Sequence, residues 1–546
     1  MILFKSSNLI KNNFLKTILV SNASVTTQQQ PQTRPNVVLI DAVRTPFVVS
    51  NTVFRELLAV DLQRHALRAL VDRTNVPFED IGHIICGQVV QECRTSNIAR
   101  EAAITAGQKE KSVYHIPCNT VTLACISSAI STQNIASMIT NGYLKAGIAG
   151  GKLDAKLKYG FKMLANWFTP ELPAVSEFTT GEVMGNSGDR LAAAFCVSRK
   201  EQDDFAIRSH TFAEKATKEN KLTDVVPMFV PYGPKKGQTV LTDNGIRVST
   251  KEQMAKLKAA FIKPHGTVTA GNSSYLTDGA SAALISSESY ALQKGYKPKA
   301  FIRETMFVAQ DPKDQLLLSP AYVIPKLLDK AGLKLQDVDV FEIHEAFAGQ
   351  LLANLKALDS DWFCQNYMKR NAKFGTLPME KLNLWGGSLS LGHPFGATGV
   401  RLLAHAANRL KDEGGRYAVI AACAAGGHGV GMLQNITVRG QAICRRRSVK
   451  GLHIELREHD TFDPDDSLST TTTGPDGTFE VRGSENEVGS IRPYLRITHK
   501  CDVSDDMKCR RITEIDIPKE KVNGIYEMNF VNLNLPGHRD KETCDD

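Results

Sequence analysis

The sequence has no run of about 18 apolar residues, so nothing in it is long and apolar enough to span a bilayer as a helix. It has no acidic residue before Asp41. Its eleven cysteines form no C-x-x-C pair, so no zinc site is expected. Aromatic residues make up 7% of the chain, and no basic run is interleaved with them, which speaks against nucleic acid as a partner. What remains is globular in composition: 546 residues, 42% hydrophobic and 23% charged. That length suits several domains. The formal charge of +8 is unevenly placed, with a net of −4 from Arg439 onward and +12 before it. A basic body suits an anionic ligand or an anionic lipid surface.

The acid-free start carries Lys5, Lys11, Lys16 and Arg34 among Ser, Thr, Asn and Gln. Residues 1–35 therefore read as a mitochondrial transit peptide, with a disordered tail or a secretory signal as the alternatives. Beyond them, apolar strands alternate with helical periodicities: a strand over 36–46, a helix over 56–73, a strand over 81–90 broken at Gly87, a helix over 125–140 and a strand ending at Gly151. Residues 153–290 are more polar and irregular, with a long helix over 199–220. The alternation resumes with strands at 301–304, 338–343 and 417–422 and helices at 321–331, 345–358 and 388–410. This predicts α/β layers built from two similar halves with a polar insertion between them. After Leu433 the period changes. Leu452, Ile454 and Leu456 alternate with polar residues, as do Ile515/Ile517 and Val531/Leu533/Leu535, around a Gly474-Pro-Asp-Gly477 turn. Residues 436–546 thus read as a small all-β sandwich.

Two glycine-framed segments hold reactive side chains: Gly392-His393-Pro-Phe-Gly396 and Cys423-Ala-Ala-Gly-Gly427. Glycine lets a ligand approach the main chain closely. The third group is Cys125, in Ala124-Cys125-Ile-Ser-Ser128. Only the thiolate is a nucleophile, and a helix N-terminus or a nearby imidazole lowers a thiol's pKa. Cys125 opens a predicted helix, where the dipole would favour its charge, and His393 could supply the imidazole. Cys423 suits proton transfer to and from carbon, with backbone N–H groups beside it to hold an oxyanion. His344 follows the predicted strand 338–343, at the end where α/β folds collect polar groups. Cys118 is the nearest competitor to Cys125 and reads as packing. Run 153–170, with Lys156, Lys158, Lys162, Tyr159, Phe161, Trp167 and Phe168, reads equally as a membrane-surface segment or a solvated face.

Taken in order, these segments resemble the thiolase family, and the 3-ketoacyl-CoA thiolases within it. The matching pieces are Asp41-Ala-Val-Arg-Thr-Pro46, Ala124-Cys-Ile-Ser-Ser128, Gly266-Thr-Val-Thr-Ala-Gly-Asn272, Asp278-Gly-Ala280, His344-Glu-Ala-Phe347, Gly386-Gly387, Gly392-His-Pro-Phe-Gly396 and Cys423-Ala-Ala-Gly-Gly427. His344, where other members carry asparagine, and Glu171-Leu-Pro-Ala-Val-Ser-Glu-Phe178 are most similar to the β-subunit branch of the mitochondrial trifunctional proteins. The resemblance implies a five-layer αβαβα fold over residues 36–300 and 301–435, with an inserted loop domain over about 153–290. It implies that Cys125 takes up the acyl group of a 3-ketoacyl-CoA, that Cys423 moves protons, and that His393 activates Cys125. His344 and His393 would hold one oxyanion, the N–H groups of Cys125 and Ala425 another, and Ser274 would lie near the pantetheine arm. Coenzyme A enters as substrate, with no other cofactor. The implied partners are a second copy in a dimeric core, a hydratase/dehydrogenase α subunit and the inner-membrane surface. An acetoacetyl-CoA thiolase is the alternative within the class, and an inactive thiolase-like subunit or binding protein the alternative outside it.

Two departures stand out. After Gly151 the family continues with a glutamate- and methionine-containing segment, whereas here the chain reads Lys152-Leu-Asp-Ala-Lys-Leu-Lys-Tyr159. This reads as a skipped piece beside the site, with impaired activity expected. The second is the tail, similar to the nematode transthyretin-like family over about 436–544, which implies a secreted sandwich. Cys444, Cys501, Cys509 and Cys544 allow three disulfide pairings. Disulfides suit an oxidising compartment and a matrix address a reducing one, so the chain reads as a fusion of neighbouring genes.

Overall fold

The computed structural model describes residues 35–90, 95–107, 111–153, 176–177, 179–232, 236–435, 438–445, 447–458, 467–481, 493–501, 509–517, 527–535, 537 and 539–544. The expected leader, the 153–170 run beyond Leu153 and most of the segment after Gly151 lie outside these residues.

The body is built on strands β1 (Val37–Arg44), β2 (Ile84–Gln88), β3 (Cys118–Val121), β4 (Ala146–Leu153), β5 (Thr277–Ser287), β6 (Ala300–Ala309), β7 (Val340–Ile343), β8 (Tyr417–Ala424) and β9 (His428–Asn435). They run side by side in the order β7-β8-β9-β6-β1-β5-β4-β2-β3. The order contains the same motif twice. On one side β2 and β4 pair in parallel, followed by antiparallel β4-β5-β1. On the other, parallel β7-β8 is followed by antiparallel β8-β9-β6. A short antiparallel ladder, Val38 opposite Phe301 and Leu39 opposite Ala300, joins the halves.

The side-chain period of two gives each strand two faces. On β1, Val37, Leu39 and Ala42 enter one core, and Val38, Ile40 and Val43 another. The first core surrounds helices α3 (Ser127–Thr140) and α8 (Thr398–Glu413), which lie between the half-sheets. The outer faces are covered by α1 (Ala59–Thr74) and α2 (Ile98–Gly107) on one side, and by α6 (Ser319–Ala331) and α7 (Ala348–Leu358) on the other. Helix, sheet, helix, sheet, helix is the expected five-layer order. Between β4 and β5 the chain adds α4 (Met184–Ala194) and α5 (Arg199–Lys218). Helix α5 starts at a capping box in which Ser198 Oγ accepts from the Glu201 N–H and the Glu201 carboxylate accepts from the Ser198 N–H.

Three strands escape the sequence reading. β5 lies inside the stretch expected to be an irregular insertion, yet all eleven of its residues are buried. Thr-Asp-Gly-Ala-Ser-Ala-Ala is too small and polar to look like a core strand, but small residues are what let α3 and α8 approach the sheet. β3 and β9 are likewise absent from that reading, and Gly87 sits within β2 rather than breaking it. The single helix expected over 388–410 is two, Ser388–Leu391 and α8, split by the turn that carries His393.

Helix α8 also carries Arg401, His405 and Arg409, at i, i+4 and i+8, all fully buried. Glu342 on β7 meets Arg409 at 2.8 Å and Arg401 at 3.4 Å. Asp224 lies 3.4 Å from His405 and 2.7 Å from Arg44, which also meets Asp243 at 2.6 Å. Buried charge persists only when paired in this way.

The tail has the expected all-β character. Five strands, Ser467–Thr472, His453–Glu458, Pro493–His499, Cys509–Asp516 and Arg539–Cys544, form an antiparallel sheet in that order. A second sheet is centred on Val438–Cys444. Leu452, Ile454, Leu456, Phe479, Leu495, Ile497, Val531 and Leu533 make its core. Leu535 breaks the alternation and is exposed. Of the three pairings left open, the Cys444–Cys501 disulfide is formed, and Cys509 is also disulfide-bonded.

Candidate active site

Both middle-layer helices start at a tight turn. Turn Ala124–Ile126 precedes α3 and holds Cys125; turn Phe395–Ala397 precedes α8, two residues after His393. The two turns pack on each other, and the Cys125 turn also packs on β8, which ends with Cys423 and Ala424. His344 directly follows β7 and donates its backbone N–H to Ala421 of β8 at 2.8 Å. The fold thus brings Cys125, His344, His393 and Cys423 to one end of the middle layer.

Cys125 sits ahead of α3 rather than at its first turn, and Ala124 before it has φ 44°. A non-glycine residue in this region stores strain of a kind that clusters at functional sites. The thiol is also not pre-activated as the sequence implied. Desolvation pushes its pKa up to about 11, outweighing the N–H groups of Ala425 and of Cys125 itself, which both reach the sulfur and pull the other way. Both N–H groups thus belong to the surroundings of the Cys125 sulfur. Cys423 is buried, and burial together with the neighbouring Cys125 raises its pKa further above that of an ordinary thiol. Glu177 accepts the Gly426 N–H at 2.7 Å and so anchors the turn that carries Ala425.

The two histidine rings lie against each other with centroids 4.1 Å apart and planes tilted by 40°. His393 Nδ1 meets Thr398 Oγ1 at 2.7 Å, and the His393 N–H donates to Thr277 Oγ1 at 3.0 Å. Gly392, at φ 100°, allows this approach, since a Cβ there would lie 2.7 Å from Thr277 Oγ1. His344 Nδ1 meets Ser388 Oγ at 2.8 Å. Both Nε2 atoms are buried and have no hydrogen-bond partner among the described residues. Burial lowers both pKa values, His344 to about 3 and His393 well below the usual range, so both rings are neutral. Two neutral rings with free, buried Nε2 atoms suit one base and one hydrogen-bond donor.

The supporting shell was not read from the sequence. Glu345 accepts from Ser209 Oγ (2.8 Å), Asn383 Nδ2 (2.7 Å) and the Leu389 N–H (3.2 Å), and so anchors the loop holding Ser388. Its burial raises its pKa. At Gly151 a Cβ would lie 1.9 Å from the Gly396 carbonyl oxygen, so the end of β4 presses directly on the His393 turn. The first departure from the family pattern begins at this buttress.

Ser274 donates its N–H to Ala346 O at 2.9 Å, tying its segment to the His344 loop. A cavity of about 360 Å³ is lined nearby by Ser273, Tyr275, Leu389, Arg247, Ser249 and His210, among others. Ser274 is not part of that wall.

Layered α/β halves that present two cysteines and a histidine pair at one edge define an acyl-transferring thiolase architecture. Residues 37–289 match the thiolase N-terminal domain, 296–435 the thiolase C-terminal domain and 439–518 the transthyretin-like family. A probable 3-ketoacyl-CoA thiolase of Caenorhabditis elegans is 64% identical over 425 residues, 73% of this chain and 94% of that protein. The mitochondrial trifunctional enzyme subunit beta of Homo sapiens is 54% identical over 424 residues, 73% of this chain and 88% of that protein. Among solved structures, Bacillus anthracis acetyl-CoA acetyltransferase superposes with TM-score 0.65 at 30% identity, covering 74% of this chain and 99% of the other. Human mitochondrial 3-ketoacyl-CoA thiolase gives 0.64 at 29%, covering 73% and 98%. The chain belongs to the thiolase family, and its body is an acyltransferase.

Proposed function

We propose that the chain acts as a 3-ketoacyl-CoA thiolase of fatty acid β-oxidation, cleaving a 3-ketoacyl-CoA with CoA into acetyl-CoA and a shortened acyl-CoA. The observation that carries this reading is the meeting of Cys125 and Cys423 with two neutral, adjacent histidines whose Nε2 atoms are free. A thiol held near 11 needs a base at the moment of attack, and a neutral His393 is one. His393 Nε2 takes the Cys125 proton as the sulfur attacks C3, and the C3 oxygen gathers negative charge against His344. The C2–C3 bond breaks, and Cys423, kept protonated by its burial, gives its proton to C2 of the departing acetyl-CoA. The Cys423 thiolate then takes the proton of incoming CoA. The CoA sulfur attacks the acyl thioester on Cys125, whose second oxyanion meets the N–H groups of Cys125 and Ala425. Cys125 leaves as thiolate and recovers its proton from His393. The cavity bounded by Arg247, Ser249, Ser273 and Tyr275 is suited to the CoA arm, with Ser274 just behind its wall.

The same reading carries a dimeric core, a hydratase/dehydrogenase α subunit, a mitochondrial address and contact with the inner membrane. Its support is the similarity to mitochondrial trifunctional enzyme beta subunits. The test is acetyl-CoA release from a long-chain and a four-carbon 3-ketoacyl-CoA in the presence of CoA, with Cys125→Ala as control. Turnover of the long chain supports the reading. Turnover of the four-carbon substrate alone points to an acetoacetyl-CoA thiolase, and no turnover of either to an inactive subunit.

A further inference from the structure

His344 is a useful hydrogen-bond donor to substrate only in one of its two neutral tautomers, and the structure contains a device that selects it. Ser388 Oγ lies 2.8 Å from His344 Nδ1 and 2.8 Å from Arg401 Nη2. All three residues are buried. Arginine has donors and no acceptor, so the Arg401–Ser388 bond occupies a lone pair of the hydroxyl. The serine's one proton then has a single acceptor among the described partners, His344 Nδ1. An Nδ1 that accepts leaves the ring proton on Nε2, the atom that is buried and without a partner.

We infer that Ser388, oriented by Arg401, is a positioning residue that fixes His344 as the Nε2–H tautomer, so that this N–H is already aimed at the C3 oxyanion when Cys125 attacks. The inference rests on the thiolase reading for its purpose, but the tautomer itself does not. Preorganised donors of this kind act without reorganisation during the reaction. Arg401 is held in turn by Glu342, 3.4 Å away, so the relay runs from the buried ion pairs of α8 and β7 to the site. The neighbouring ring of His393 is bound differently: its Nδ1 faces Thr398 Oγ1, and among the described residues no cation hydrogen-bonds that hydroxyl. The histidine free of the relay is the one the mechanism uses as a base.

Two measurements test this on the full chain. Nitrogen-15 spectra of histidine-labelled protein, with His344 assigned by its loss in His344→Asn, should show an unprotonated Nδ1 and a protonated Nε2. Ser388→Ala should erase that preference and Ser388→Thr keep it. A protonated Nδ1 in the unsubstituted protein overturns the inference regardless of activity. In kinetics, Ser388→Ala should lower kcat about 10- to 100-fold with KM changed less than about 2-fold. In the His344→Asn background, where an amide donates without any tautomer to select, the same change should cost less than about 3-fold. Equal losses in both backgrounds would mean that Ser388 merely supports the His393 loop, and would sink the idea. An unsubstituted chain with the Nε2–H tautomer and no turnover refutes the thiolase reading and leaves the tautomer assignment standing.

Discussion

The body and the tail solve the problem of charge in opposite ways. The body buries Arg44, Arg401, Arg409, Glu342 and Asp224, each with a charged partner, and Arg401 reaches the histidine pair through Ser388. The tail keeps its ion pairs at the rim: Arg496 with Glu514, Arg457 with Glu455, Arg511 with Asp540. Its core is apolar and is closed by a disulfide between residues 57 apart in sequence. A large α/β domain has enough buried surface to carry the desolvation cost of an ionic network, and here the network ends at a reactive group. A small sandwich has no such reserve and relies on a covalent staple.

The sharpest way to break this comparison is through activity. Cys125→Ala should lower kcat for 3-ketoacyl-CoA cleavage by about 10³-fold or more, while the far-UV spectrum stays unchanged. Reducing the tail disulfides should leave that activity within about 2-fold, since the tail supplies none of the residues of the site. If reduction abolishes turnover, body and tail are not functionally separate.

Stability gives the next largest effect. Glu342→Gln removes the carboxylate shared by Arg401 and Arg409, and leaving buried cations uncompensated costs about 3–5 kcal/mol. Arg496→Ala in the tail removes a partly exposed pair worth about 0–1 kcal/mol. Denaturant unfolding of the two variants measures both. Cys444→Ser, by contrast, should cost about 2–4 kcal/mol through the lost loop constraint. Thermal unfolding of this variant should show that difference in the tail transition and leave the body transition where it was.

The same contrast explains what could be read from sequence. The tail's alternation at Leu452, Ile454 and Leu456 is an explicit period of two, and it became a buried strand face. The body's reactive residues were legible because glycine frames them. What escaped was whatever depends on small size or on partners distant in sequence. β5 is built of Ala, Gly and Ser and carried no apolar signal. The pKa of Cys125 was given the wrong sign, because a helix dipole can be read from sequence but desolvation by the surrounding layers cannot. Glu177, Thr277, Thr398 and Ser388 contact the site from four separate segments. Arg401, His405 and Arg409 did leave a trace, a polar stripe at helical spacing. Without Glu342 and Asp224 in view, that stripe reads as a solvated face.

The last contrast separates the regions by pH. His344 and His393 are buried as neutral rings with folded pKa values below 6.5, about 3 for His344. Below pH 6.5 the unfolded chain takes up protons that these folded rings refuse. Each ring therefore removes about 1.4 kcal/mol of stability per pH unit as the pH falls from 6.5 toward its folded value. Above pH 6.5 neither ring is protonated in either state and the effect vanishes. Glu345 acts in the opposite sense, because its raised pKa makes the folded state the better proton acceptor, and it offsets part of the loss as the pH approaches 4.5. Between pH 6.5 and 5.5 the histidines dominate, so the body's melting temperature should fall in that interval. His344→Asn should flatten the slope by about one proton's worth, whereas Cys444→Ser should leave it unchanged. A body transition that is flat from pH 7 to 5.5 would mean that the two rings are not held neutral, and with that the base assigned to Cys125 would be lost.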